Sequence, residues 1–195
     1  MSVGARLFFI FLSALLVNNF VLSRFLGICP FLGVSKKVDT AVGMSLAVIF
    51  VMVMASIITW LLNLLLVAMG LPFLTTIVFI LIIAVLVQFV EIVLKKTSPG
   101  LYDALGIYLP LITTNCAILG LALLNVQQEY SLVETIVHAL GAGLGFGLAL
   151  VIFSTIREKM ELYEVPESFK GTASALVSAG LLSMAFMGFQ GLVKL

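Results

Sequence analysis

Six stretches of this chain stay apolar for the width of a bilayer or close to it, with only short connections between them. They are Leu7–Leu22, Val42–Met69, Leu71–Leu94, Leu101–Leu124, Leu132–Ile156 and Thr172–Val193. A spanning helix needs about 20 such residues, because the hydrocarbon core is about 30 Å thick and each residue rises about 1.5 Å. Lipid offers no hydrogen bonds, so segments of this kind satisfy their backbone as helices. The pattern predicts an all-α integral membrane protein, a single transmembrane domain over residues 1–195. Composition agrees: 63% of residues are hydrophobic and 10% charged, against about 45–50% and 25% in soluble domains. A soluble fold could not cover its surface with so few charges. The net charge of +1 leaves no basic field for nucleic acid. Arg6 ahead of an apolar run imitates a signal peptide, but no clear small-residue cleavage site follows, so a retained first span is expected.

The cations sort by loop. Lys36 and Lys37 follow the first span, Lys95 and Lys96 the third, and Arg157, Lys159 and Lys170 lie between the fifth and sixth. Only Arg6 and Lys194 fall on the other side, and the loop around Glu129 has no positive charge. The positive-inside rule then places the three Lys/Arg loops in the cytoplasm and both termini outside it.

Two segments break their own pattern. The first runs Ser23-Arg-Phe-Leu-Gly-Ile-Cys-Pro-Phe-Leu-Gly33; the fourth runs Gly106-Ile-Tyr-Leu-Pro110 and on through Asn115-Cys116 to Gly120. Glycine and proline there predict interrupted helices, which survive at membrane depth only where protein buries them or they line a polar site. The breaks match each other: Cys29-Pro-Phe-Leu-Gly33 and Cys116-Ala-Ile-Leu-Gly120 share Cys-x-x-Leu-Gly at the chain's two cysteines. Each broken segment precedes two unbroken ones. The expected architecture is therefore six transmembrane helices in a three-plus-three inverted repeat, with halves at about 1–97 and 98–195. Such repeats with matched interruptions point to a site near the bilayer midplane.

Three uses of the cysteines stand open on spacing alone. They are small packed hydrophobes, a disulfide, or thiolate ligands of a metal. A two-iron cluster takes four cysteines, so this chain would hold half of one and a second chain the rest. Asn18 and Asn19 in the first span, and Thr113, Thr114 and Asn115 before Cys116, are polar neighbours able to bond cluster sulfurs or carbonyls freed by Pro110. Arg24 is a cation in apolar surroundings, placed either to offset a cluster's charge or to snorkel to the interface. Glu91 is a candidate ion-path carboxylate, or half of an interfacial helix pair with Lys95. His138, the lone histidine, reads as a packed or interfacial polar group. Gly141, Gly143, Gly145 and Gly147 suit close helix packing, while Trp60, Tyr102, Tyr108 and Tyr130 read as interface anchors or packing residues.

Asn18–Leu22, Phe25–Lys37, Glu91–Pro99, Gly106–Cys116 and Ser183–Leu195 together resemble the A subunits of the Rnf electron-transport complexes, over nearly the whole chain. Small membrane subunits of the sodium-translocating NADH:quinone reductase are similar more distantly. The resemblance implies a complex in a bacterial or archaeal cytoplasmic (inner) membrane that couples electron transfer between ferredoxin and NAD to pumping of Na⁺ or H⁺. It implies that Cys29 and Cys116 ligate iron of one [2Fe–2S] cluster shared with the paralogous E subunit. It also implies that this chain works with the B, C, D and G subunits and has no independent activity. Asn115, Thr114 and Arg24 are then candidates to surround the cluster, and Glu91 to lie on the ion path. No phosphate loop, dinucleotide fingerprint or Ser/His/Asp arrangement appears, so NAD, flavin and ferredoxin are expected on other subunits. The alternatives are a cluster-free secondary transporter and a cofactor-free assembly protein.

Overall fold

The computed structural model describes residues 3–97, 109–163 and 171–191. Most of these are helical, with no strand among them. In chain order the α-helices are α1 (Val3–Leu12), α2 (Ile28–Val34), α3 (Val38–Ala68), α4 (Thr75–Thr97), α5 (Leu109–Thr113), α6 (Cys116–Gln127), α7 (Leu132–Glu161) and α8 (Thr172–Met187). Four stretches are long and apolar enough to cross a membrane: Val38–Ala68, Pro72–Val93, Pro110–Gln127 and Leu132–Glu161. Val3–Val17 and Thr172–Met187 are apolar but shorter. The start of the second interrupted segment, Gly106 to Tyr108, lies outside the described residues, as do Tyr102, Lys170 and Lys194.

α7 occupies the middle and packs on α1, α3, α6 and α8. Its glycines explain how. A Cβ on Gly141 would meet the Phe11 carbonyl oxygen at 2.8 Å, and one on Gly145 would meet that of Leu15 at 2.7 Å. Gly143 and Gly147 turn to α3, where a Cβ would meet Ile49 at 3.0 Å and Ser45 at 3.1 Å. The two overlapping Gly-x-x-x-Gly pairs thus seat two different neighbours, with the small residues letting backbones approach. Between these contacts Phe146, Phe153, Met44 and Met52 are fully buried. α4, by contrast, leaves Ile77, Ile80, Leu81, Val85 and Phe89 exposed on its outer side.

Both expected segments are interrupted, and among the described residues neither gap falls at a proline. The first helix stops at Val17 rather than Leu22, after α1 widens into a π-turn at Ser13–Val17. There the Asn18 N–H donates to the Ser13 carbonyl and its side chain to the Ser13 hydroxyl. An irregular stretch then runs from Asn18 to Gly27, and the polar groups around Asn19 and Leu22 are satisfied inside the protein. Asn19 accepts from the N–H groups of Val21 and Leu22 and donates to the Gly145 carbonyl at 2.7 Å, while Ser183 donates to the Leu22 carbonyl. Pro30 lies in the first turn of α2, where a residue has no helical acceptor for its N–H, so this proline is accommodated at a helix start instead of ending a helix. In the second segment the interruption falls at Thr114–Asn115, between proline and cysteine. Thr114 returns its hydroxyl to the Pro110 carbonyl at 3.1 Å.

Candidate functional site

Each cysteine occupies the first turn of a helix that begins inside the bundle. Cys29 is the second residue of α2; Cys116 is the first residue of α6. The Asn115 side chain starts α6 by accepting the Ala117 N–H at 3.0 Å, the ordinary work of an N-cap amide. Gly27 starts α2 with φ +83°. A Cβ there would stand 2.8 Å from the Phe146 ring and 3.2 Å from both Ala117 Cβ and Asn115 Oδ1. Glycine is required at this position by its dihedral angle and by its neighbours.

That close approach joins the two blocks. The Gly27 N–H donates to Cys116 Sγ at 2.9 Å, and Cys29 follows two residues later. The glycines that end the Cys-x-x-Leu-Gly motifs are packed reciprocally. A Cβ on Gly33 would meet Leu111, which precedes Cys116; one on Gly120 would meet Leu26, which precedes Cys29. Both sulfurs are free thiols, and both residues are exposed at the surface of the single chain. They are neither packed in the core nor disulfide-bonded.

The surroundings suit a thiolate-held group whose remaining ligands come from elsewhere. A backbone N–H already points at one sulfur, and such bonds stabilise thiolate ligands. Asn115 is buried, and its Nδ2 has no hydrogen-bond partner, leaving a donor beside Cys116 for a sulfur acceptor. Among the described residues no group of three or more His, Cys, Asp or Glu gathers to complete a metal site. The residues present fit half of a two-iron cluster, since four thiolates are needed for the whole.

The remaining sequence candidates scatter. Thr114 is exposed and bonds back to Pro110. Arg24 is exposed and lines a cavity of about 200 Å³ with Ser13, Asn18, Gln128, Tyr130 and His138. Glu91 sits half-buried on α4, one turn before Lys95. His138 is a packed polar group, as expected. Its Nδ1 meets Asn125 Oδ1 at 2.6 Å, and its ring lies against Tyr130 and Phe20.

Arg157 is a residue that sequence reasoning counted only as a cytoplasmic charge. Its Nη1 donates to the Leu32 carbonyl at 2.9 Å and to Ser35 Oγ at 2.7 Å, at the far end of α2 from Cys29. It also lies over the ring of Phe153, which stacks on Phe31 of α2 with centroids 4.2 Å apart. One side chain of α7 therefore binds a last-turn carbonyl of the cysteine helix and the hydroxyl that follows it, where a cation is favoured. The available signal was its place directly after an apolar run, at Ile156-Arg157. Arg157→Gln is expected to cost about 1–2 kcal/mol for bonds from a charged donor. It should also speed amide hydrogen exchange in Phe31–Val34, while Lys159→Gln, on an exposed position, should leave that exchange unchanged. Unaltered exchange in the arginine variant would refute the anchoring role.

The family described as "Rnf-Nqr subunit, membrane protein" matches residues 7–193. The chain is 60% identical to the A subunit of the Na(+)-translocating ferredoxin:NAD(+) oxidoreductase complex of Acetobacterium woodii, over 95% of this chain and 97% of that one. It is 60% identical to the A subunit of the ion-translocating oxidoreductase complex of Syntrophotalea carbinolica, over 96% and 98% of the two chains. The protein of the same name in Pasteurella multocida is 56% identical, over 94% and 96%. With its matched cysteine blocks and full-length similarity, the chain belongs to the Rnf–Nqr family of membrane subunits.

Proposed function

We propose that this chain is the A-type membrane subunit of an ion-translocating ferredoxin:NAD oxidoreductase complex, and that Cys29 and Cys116 supply half the ligands of an intramembrane [2Fe–2S] cluster. A paralogous E-type subunit supplies the other half, and NAD, flavin and ferredoxin bind elsewhere among the other subunits, of B, C, D and G type. The observation that carries this reading is the pair of surface thiols at two helix starts, joined by the bond from Gly27 to Cys116 Sγ. A cluster at that place would divide a core of about 30 Å into two shorter electron steps.

The residues of this chain have separable tasks. Cys29 and Cys116 present thiolates to a second protein from an exposed face. The Gly27 N–H donates to Cys116 Sγ, and the unpartnered Nδ2 of Asn115 is a donor available beside it, which favours added negative charge at the centre. Phe146 packs against Gly27 and Leu26 against Gly120, on the inner side of the two blocks. Arg157 fixes the length and direction of α2. In this reading the chain forms a six-span inverted repeat with halves at about 1–97 and 98–195, and both termini lie outside the cytoplasm. The reciprocal packing of Gly33 on Leu111 and Gly120 on Leu26 supports the repeat.

Stoichiometry tests the proposal. The chain purified with its E-type partner should contain two irons and acid-labile sulfide per pair, and the chain alone should contain neither. A pair without iron, purified under anaerobic conditions, would remove the cluster from the account.

A further inference from the structure

Away from the cysteines, the polar atoms that the bundle leaves without partners gather at one level. Ser56 Oγ on α3, Asn125 Nδ2 on α6 and Thr135 Oγ1 on α7 are buried and make no hydrogen bond. Their residues are 1%, 5% and 0% exposed. α3 and α7 run antiparallel, with Gly147 against Ser45 and Gly143 against Ile49. Continued for two turns, that register sets Ser56 level with Thr135. Asn125 joins the same level through its bond to His138, one turn along α7 from Thr135. Its backbone carbonyl also accepts the Tyr130 N–H, and the Tyr130 carbonyl accepts Trp60 Nε1, one turn along α3 from Ser56.

Hydroxyls in apolar helices ordinarily discharge onto the carbonyl one turn back, as Ser45 and Thr59 of α3 do onto Ala41 and Ala55. Ser56 and Thr135 do not, so their buried oxygens keep their lone pairs free. The Asn125 amide can be turned over without changing its shape. Its Nδ2 then donates to a neutral His138 Nδ1, and its Oδ1 takes the buried, unpartnered place at the level of the two hydroxyls. Three neutral oxygens from three helices form a hard donor set, which suits a monovalent cation that has shed part of its water.

The approaches differ in charge. On the Asn125 side lies a cavity of about 510 Å³ lined by Thr59, Asn63, Thr75, Gln127 and Glu129 among others, with no lysine or arginine among the described residues that line it. The cavity on the His138 side contains Arg24. The His138–Asn125 pair thus separates a side that attracts cations from one that repels them.

We propose that Ser56, Asn125 and Thr135 form a binding site for a monovalent cation of sodium size, reached through the cavity at Glu129. The inference rests on the ion-translocating reading above and names a place in this chain where the ion is held. The test uses the purified complex at constant ionic strength, with choline replacing sodium, and measures radioactive sodium binding and the sodium dependence of thermal unfolding. Ser56→Ala and Thr135→Val each remove one oxygen with little change of shape. Each should raise the half-saturating sodium concentration about tenfold, the equivalent of about 1.4 kcal/mol, and Glu129→Gln should raise it less. Two results would overturn the site: a wild-type complex that does not respond to sodium, or hydroxyl variants that bind sodium as the wild type does. Variants that shift stability without changing sodium binding would also overturn it, assigning the three groups to internal water. Iron content reports on the cysteines separately, so loss of the sodium site would leave the cluster proposal standing.

Discussion

Cys29→Ser or Cys116→Ser is expected to lower ferredoxin-dependent NAD reduction by the complex more than about a hundredfold, since losing a ligand should exceed the 10–100-fold cost of losing a group behind one. Both residues are exposed and free, so serine leaves no core void. Stability of the chain should change by no more than about 0.5 kcal/mol, as for surface substitutions generally. That separates a lost cofactor from a lost fold. The subunits should still purify together, with two fewer irons per complex and without the electron paramagnetic resonance signal of a two-iron centre. Serine variants that retain iron, signal and rate would exclude these cysteines as ligands. Variants that prevent the subunits from purifying together would favour an assembly role instead.

The second large effect belongs to Gly27. Alanine there must adopt φ +83° and place a Cβ 2.8 Å from the Phe146 ring. The left-handed conformation costs about 1–2 kcal/mol, and forcing a methyl into packed surroundings adds about 1–3 kcal/mol. Relief requires α2 to move from α6, which stretches the bond from Gly27 to Cys116 Sγ. Gly27→Ala should therefore lower the thermal midpoint and broaden or shift the resonance signal of the centre. Gly4→Ala and Gly180→Ala, where a Cβ meets nothing within 4 Å, should do neither. A Gly27→Ala complex with unchanged signal and midpoint would show that the two cysteine blocks do not depend on this contact.

The contrast between Gly27 and Cys29 marks where the sequence was readable. The apolar runs, the single histidine as a packing group and the role of the four glycines of α7 follow from composition and spacing, because lipid leaves the backbone little choice. The place of the interruptions did not follow. Pro30 reads as a breaker in isolation, yet it lies in the first turn of a helix, because the irregular stretch from Asn18 to Gly27 has already ended the preceding one. Asn18 and Asn115 determine the actual gaps, and asparagine carries no such message without its partners. Gly27 was one of two glycines in a broken segment, and nothing local distinguishes it until Phe146 arrives from far along the chain. Arg157 was visible only as a charge, since the carbonyl it binds lies in another element. Long-range contacts of this sort have no periodicity to betray them.

Helix α7 meets the first helix through glycine against backbone, at Gly141 and Gly145, and meets α3 through Gly143 and Gly147 set against Ile49 and Ser45. Glycine brings no rotamer of its own to rearrange at these joints, and packed interiors compress little. The response of α7 to a push is therefore whole-body displacement. The same rod carries Arg157 at the base of the cysteine helix and Thr135 and His138 near its opposite end. A shift imposed at one end reaches the other without being absorbed on the way, which makes α7 a stiff strut between regions about 30–35 Å apart along its axis.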